Sequence, residues 1–172
     1  MEGSFLLVEE RFGLNDIFVI SLIIVLYGLI FTIKSPFRNR MISFLLIMWG
    51  IVVAGLFDNT LGASPYDYYD IMDGEKYTDM DLVAYLLYGP FGYFFIYIME
   101  KWKIKNIRLL LYILAWSLMG IAFEYVNVKV GVFIYKNGYE LFFSFPIYLF
   151  TQTALVYFYK FIISDGVKTL SQ

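Results

Sequence analysis

Five long apolar runs, each bounded by charges or turn residues, leave this chain few ways to fold. They fall at about 16–33, 41–58, 82–101, 109–128 and 143–163, each near the ~20 residues a helix needs to cross a ~30 Å hydrocarbon layer. Inside that layer the backbone has no water to bond, so only helices or closed barrels can span it. The runs are continuous rather than alternating, which selects helices. Charged residues make up 16% of the chain, against about 25% in a soluble domain. The expected fold class is therefore an all-α integral membrane protein with five transmembrane helices. With 172 residues there is no room for a separate soluble unit, so residues 1–172 form a single membrane domain.

The connections carry the charge. Lys34, Arg38 and Arg40 make one short basic turn, with Pro36 stopping the first span; Lys101, Lys103, Lys105 and Arg108 make a second. The connection 58–81 is acidic instead, with Asp58, Asp67, Asp70, Asp73, Glu75, Asp79 and Asp81 facing a single Lys76. The positive-inside rule places the basic turns and the C-terminus in the cytoplasm, and the N-terminus and loop 58–81 outside. Residues 1–16 are too polar to span, and the spacing of Phe5, Val8 and Phe12 predicts a short amphipathic helix on the membrane surface. They lack the basic n-region of a secretory signal. Between the last two spans, Asn137-Gly138 flanked by β-branched and aromatic residues predicts a small β-hairpin, or at least a tight turn, over 130–143. The tail from Ser164 to Gln172 reads as short and mobile.

The fourth run contains Glu124, the one acid inside any long apolar stretch. Ser117, Gly120, Glu124, Asn127 and Gly131 share its helical stripe, which must face other helices because lipid offers Glu124 no partner. A charged group near the bilayer centre costs roughly 2.5–3.5 kcal/mol on insertion scales, so such a residue is a functional candidate. At ~1.5 Å per residue Glu124 stands roughly 22 Å above the start of its helix, in the outer third of the core. Asn127 and Gln152 offer amide donors, and Ser144, Tyr148 or Lys129 are further partners. Ser144 also suits the cap of the fifth span, ahead of Pro146. The candidate ligand-binding residues are Glu124, Asn127, Ser117, Ser144, Tyr148, Gln152 and Asp58.

Cysteine and histidine are absent, which removes thiolate chemistry, Cys/His metal sites and a Ser-His-Asp triad. Loop 58–81 fails the calcium-loop pattern, because Tyr69 and Ile71 stand where alternate oxygen ligands belong ahead of Gly74. No metal, cofactor or nucleic acid is expected; the partners are the lipid bilayer and, through loop 58–81, another protein. Pro90, between Gly89 and Gly92, predicts a kink that serves packing. Gly50 and Ala54 make a small-xxx-small pair in the second span.

The C-terminal half resembles an uncharacterised family of small five-span membrane proteins of spore-forming Gram-positive bacteria. The features are Pro90 followed by the basic turn at Lys101 to Lys105, a span holding Trp116 and Glu124, then Gly131, Tyr135, Asn137-Gly138-Tyr139, Ser144 and Tyr148. The likeness covers most of 82–160, and departs in having Tyr139 where the family carries Trp. It implies topology and a bacterial plasma membrane, and brings no activity. From the residues alone the leading reading is an accessory or interaction membrane protein. The alternative is binding or transport of a small polar molecule, lipid headgroup or cation in an outward pocket at Glu124. A membrane enzyme using Glu124 as acid or base, with Asp58 as its only companion, comes last.

Overall fold

The computed structural model describes residues 12–37, 39–72 and 78–169, with side chains as far as Ser164. Most of the surface helix expected over 1–16 lies outside these residues. Five helices are long and apolar enough to cross a membrane: α1 (Leu14–Thr32), α2 (Arg40–Phe57), α3 (Asp79–Lys101), α4 (Ile107–Lys129) and α5 (Ser144–Thr169). Helix α2 is prolonged by a π-helical turn at Asp58–Gly62, and a 3₁₀ turn, Leu141–Phe143, leads into α5. The expected mobile tail is helical as far as Thr169.

Helix α3 is the central element, with over half of its apolar stretch buried, while the other four bury less than a quarter of theirs. Its N-terminus is closed by the Thr78 backbone N–H donating to Asp81, and α1 starts the same way, Gly13 N–H to Asp16 at 2.6 Å. Helix α3 runs through Pro90 without ending. Proline has no N–H, so the carbonyl four residues back, on Leu86, loses its helical donor. The Tyr27 hydroxyl of α1 supplies the replacement at 3.1 Å. Around Pro90 the α2–α3 backbones nearly touch. A Cβ on Gly92 would lie 2.6 Å from the Leu46 carbonyl oxygen, and Gly50 of α2 presses on the backbone of Tyr88 and Gly89. The small residues therefore make a seam, as the sequence predicts for Gly50 and Pro90.

Two apolar clusters show that the helices alternate in direction. One joins Val19 of α1, Ala54 of α2, Ala84 and Leu87 of α3 and Phe123 of α4. The other joins Leu46 of α2, Phe95 and Ile96 of α3, Ile113 of α4 and Leu155 and Tyr159 of α5, with Phe37 and Ile104 of the two basic turns packed on it. The basic turns thus share one end of the bundle. At the opposite end lies a two-stranded antiparallel sheet of β1 (Tyr69–Ile71) and β2 (Phe133–Tyr135).

This sheet differs from the hairpin expected over 130–143. The Asn137-Gly138 turn does form: both residues have positive φ, 47° and 76°, and Tyr139 N–H donates back to the Lys136 carbonyl at 2.8 Å. The ladder partner of β2, however, is β1 from the acidic loop, in the register Tyr69↔Tyr135, Asp70↔Ile134 and Ile71↔Phe133. Lys136 fixes the pairing, its ammonium 2.7 Å from Asp70 and 3.8 Å from Asp67. The acidic loop thereby neutralises part of its own charge and covers the end of the bundle.

Candidate functional site

Glu124 sits near the end of α4 and is 5% exposed, turned inward as its stripe requires. Its Oε1 accepts from the Tyr135 hydroxyl at 2.5 Å and the Ser144 hydroxyl at 2.6 Å. Oε2 accepts from the Tyr148 hydroxyl at 2.6 Å. The Ser144 and Tyr139 hydroxyls are 2.9 Å apart, so Tyr139 extends the network. Three elements converge here: α4 provides the acid, α5 provides Ser144 and Tyr148, and β2 provides Tyr135. Gly120, one turn before Glu124, makes room for Tyr148, since a Cβ there would lie 3.3 Å from its ring.

Of the amide donors expected from the sequence, Asn127 goes elsewhere. Asn127 Nδ2 donates to the Phe123 carbonyl at 2.8 Å, one turn back on its own helix, because the amide is too short to fold round to Glu124 as well. Lys129 lies over the Tyr125 ring, 5.3 Å from its centre, rather than on Glu124. Ser144 opens α5 but spends its hydroxyl on Glu124 instead of capping the helix. Among the described residues the ion pairs are those of Lys136 with Asp67 and Asp70, so no basic side chain meets Glu124. Among the described residues, hydroxyl dipoles hold the buried acid.

Beside Glu124 is a cavity of about 160 Å³ between α2, α3, α4 and α5, roofed by the sheet. Its walls are largely aromatic, with Trp49, Phe57, Tyr88, Phe91, Trp116 and Phe123 prominent. Of the candidate residues, Glu124, Asp58, Ser144, Tyr148 and Gln152 line it. Ser117 and Asn127 do not; both are fully buried in the stripe. Asp58 opens the π-helical turn and accepts a hydrogen bond from Tyr85. A widened turn of this kind is common where a helix serves a site. A second, polar recess of about 500 Å³ lies on the other side of Tyr69 and Asp58, with Asp67, Asp70, Asp81 and Lys136 around it. Among the described residues no three acids gather closely enough to hold a metal ion.

The phenols in the roof are strongly placed. Burial pushes the Tyr69 hydroxyl well above the usual tyrosine range, and the charges of Asp58 and Glu124 add to it. Tyr135 is raised by burial and by its bond to Glu124. Tyr139 is raised by burial, partly offset by its Ser144 bond. All three remain protonated at ordinary pH.

Tyr135, Tyr139 and Tyr85 were not among the sequence candidates. Only the position of Tyr135 two residues before the Asn-Gly turn hinted at a role. No known protein family, curated protein or solved structure matches this chain. The site must therefore be read from its own chemistry.

Proposed function

We propose that this multi-pass membrane protein binds a small molecule carrying an ammonium-type cation on an apolar body, with Glu124 as counter-charge. The supporting observation is a buried acid on the wall of an aromatic cavity, bonded by three hydroxyls and, among the described residues, by no basic side chain. A cation completes such a site twice over. It balances the carboxylate, and it is attracted to aromatic faces by roughly 0.5–2 kcal/mol each when desolvated. Asp58 on the same cavity adds negative potential. The fully buried Ser117 and Asn127 favour a packing role for that part of the stripe, so the accessory reading applies there, while Glu124 is assigned to ligand binding. By the positive-inside rule the sheet end faces outward.

The chain suits a direct test. Of its three tryptophans, Trp49 and Trp116 line the cavity and Trp102 is exposed at the basic end. In a Trp102→Phe background, tryptophan fluorescence reports on the cavity. Titrating primary alkylamines into vesicles holding this protein is expected to give a saturable change. Glu124→Gln keeps the size of the side chain and removes the charge, and is expected to weaken binding by about 10- to 100-fold. Absence of saturable binding, or equal affinity in the Gln variant, overturns the reading.

A further inference from the structure

We infer that the ligand is an amphiphile dissolved in the bilayer, admitted sideways through the seam between the helix group α1–α3 and the pair α4–α5. This rests on the binding function proposed above and adds the ligand's source and shape.

The walls of the cavity differ in exposure. On the sheet side Tyr69, Ile71, Tyr139 and Ser144 are all buried, at 9% exposure or less. That roof is tied on several sides. Lys136 N–H donates to the Tyr68 carbonyl at 2.7 Å and Met72 N–H to the Val132 carbonyl at 2.9 Å. Asn137 Nδ2 reaches the Asp67 carbonyl at 2.8 Å, and the Lys136 ammonium is paired with Asp70. Among the described residues these ties hold the sheet down over Glu124.

The helical walls are more open. Met119 of α4 lines the cavity yet is 43% exposed, and Val53 and Phe57 of α2 and Ile147 of α5 are half-buried on the same cavity. Helices α1 and α2 pack closely on α3, and α4 on α5. The two groups meet mainly through side chains, and in the basic half the seam is filled by rings. Trp49 stacks on Phe158 at 4.8 Å between centroids, and Phe95 meets Trp116 at 5.4 Å. Nearer Glu124, Phe91 of α3 meets Phe123 of α4 at 4.7 Å. Met119, one turn before Phe123, lines the cavity and is still 43% exposed, so the cavity wall continues there onto a surface that faces hydrocarbon.

Size points the same way. A cavity of about 160 Å³ is on the scale that holds one benzene molecule. It takes a cationic head and a few methylenes; a longer chain must leave through the seam, where lipid solvates it. Glu124 then draws the head inward, and the tail stays in the bilayer.

The absence of cysteine from the chain allows the roof to be locked. Asp70 and Ile134 are directly opposed across the sheet, in the hydrogen-bonded type of pair, at the ~5.5 Å Cα separation that a disulfide accepts. Neither residue lines the Glu124 cavity. The Asp70→Cys/Ile134→Cys variant, with Trp102→Phe, is placed in vesicles and compared oxidised and reduced. The probes are dodecylamine, which resides in the bilayer, and butylamine, which stays in water. Sideways entry predicts saturable, Glu124-dependent dodecylamine binding, loading at rates within about twofold in the two redox states, and no saturable butylamine signal. Loading slowed about tenfold or more by oxidation, or butylamine binding that the lock abolishes, means entry through the roof and overturns the inference while leaving the binding function intact. Failure of both amines in both states overturns the binding function itself.

Discussion

Glu124 takes hydrogen bonds from Tyr135, Ser144 and Tyr148, and each bond is separable by a substitution that removes one hydroxyl. Tyr135→Phe, Ser144→Ala and Tyr148→Phe are each expected to lower stability by about 1.5–3 kcal/mol, the range for a hydrogen bond to a charged group, in unfolding experiments in detergent. Equal stability in all three variants would mean that Glu124 is not held as described. The roof tyrosines give a pH signature. Because the folded pKa of Tyr69, Tyr135 and Tyr139 is raised, their contribution is complete below the unfolded value of about 10 and is lost as pH rises toward the folded values. Stability should therefore fall above about pH 10, more steeply in the parent than in Tyr135→Phe, as followed by unfolding at graded pH. At this scale the sequence was partly legible. Helical spacing gave the inward stripe and picked Ser144 and Tyr148, because both partners sit on helices. It assigned Asn127 as a donor to Glu124 because spacing reports a shared face, and a short amide on that face bonds its own helix instead.

The elements follow from hydropathy, and their contacts follow from small residues. The α2–α3 seam depends on Gly92 facing the Leu46 carbonyl. Gly92→Ala should push the two helices apart and cost about 1–3 kcal/mol, the usual price of overpacking. Gly28 on α1 has nothing within 4 Å of where its Cβ would be, so Gly28→Ala is the matched control and should be neutral or gain about 0.5–1 kcal/mol. Thermal unfolding of the two variants side by side checks the contrast. The pairing of β1 with β2 was out of reach of local reading. Each strand has three residues, and the partners are separated by two transmembrane helices. Neither the Asn-Gly turn nor the acidic composition of 58–81 names the other as its mate. Lys136 is the link between them, and Lys136→Ala is expected to speed amide exchange at Asp70, Met72 and Ile134, whose N–H groups face the partner strand, while leaving α3 protected. Unchanged exchange at the strands would show that the ladder needs no ion pair.

For the whole molecule, number, length and alternation of the spans were written in the apolar runs, because a membrane admits few backbones. The cavity was not. It arises where two helix groups meet around Trp49, Trp116 and Phe123 without filling the space beside Glu124, and no periodicity records a void. The seam and roof around it make one arrangement: an acid at the sheet end, aromatic walls below it, and an exposed Met119 on the flank. The most direct measurement is an experimental structure in lipid nanodiscs loaded with dodecylamine. The account predicts the amine nitrogen within hydrogen-bond distance of Glu124, ringed by Tyr148 and the aromatic walls, with its chain passing out beside Met119. A Glu124 side chain turned toward lipid, or an amine bound elsewhere with this cavity collapsed, would contradict it.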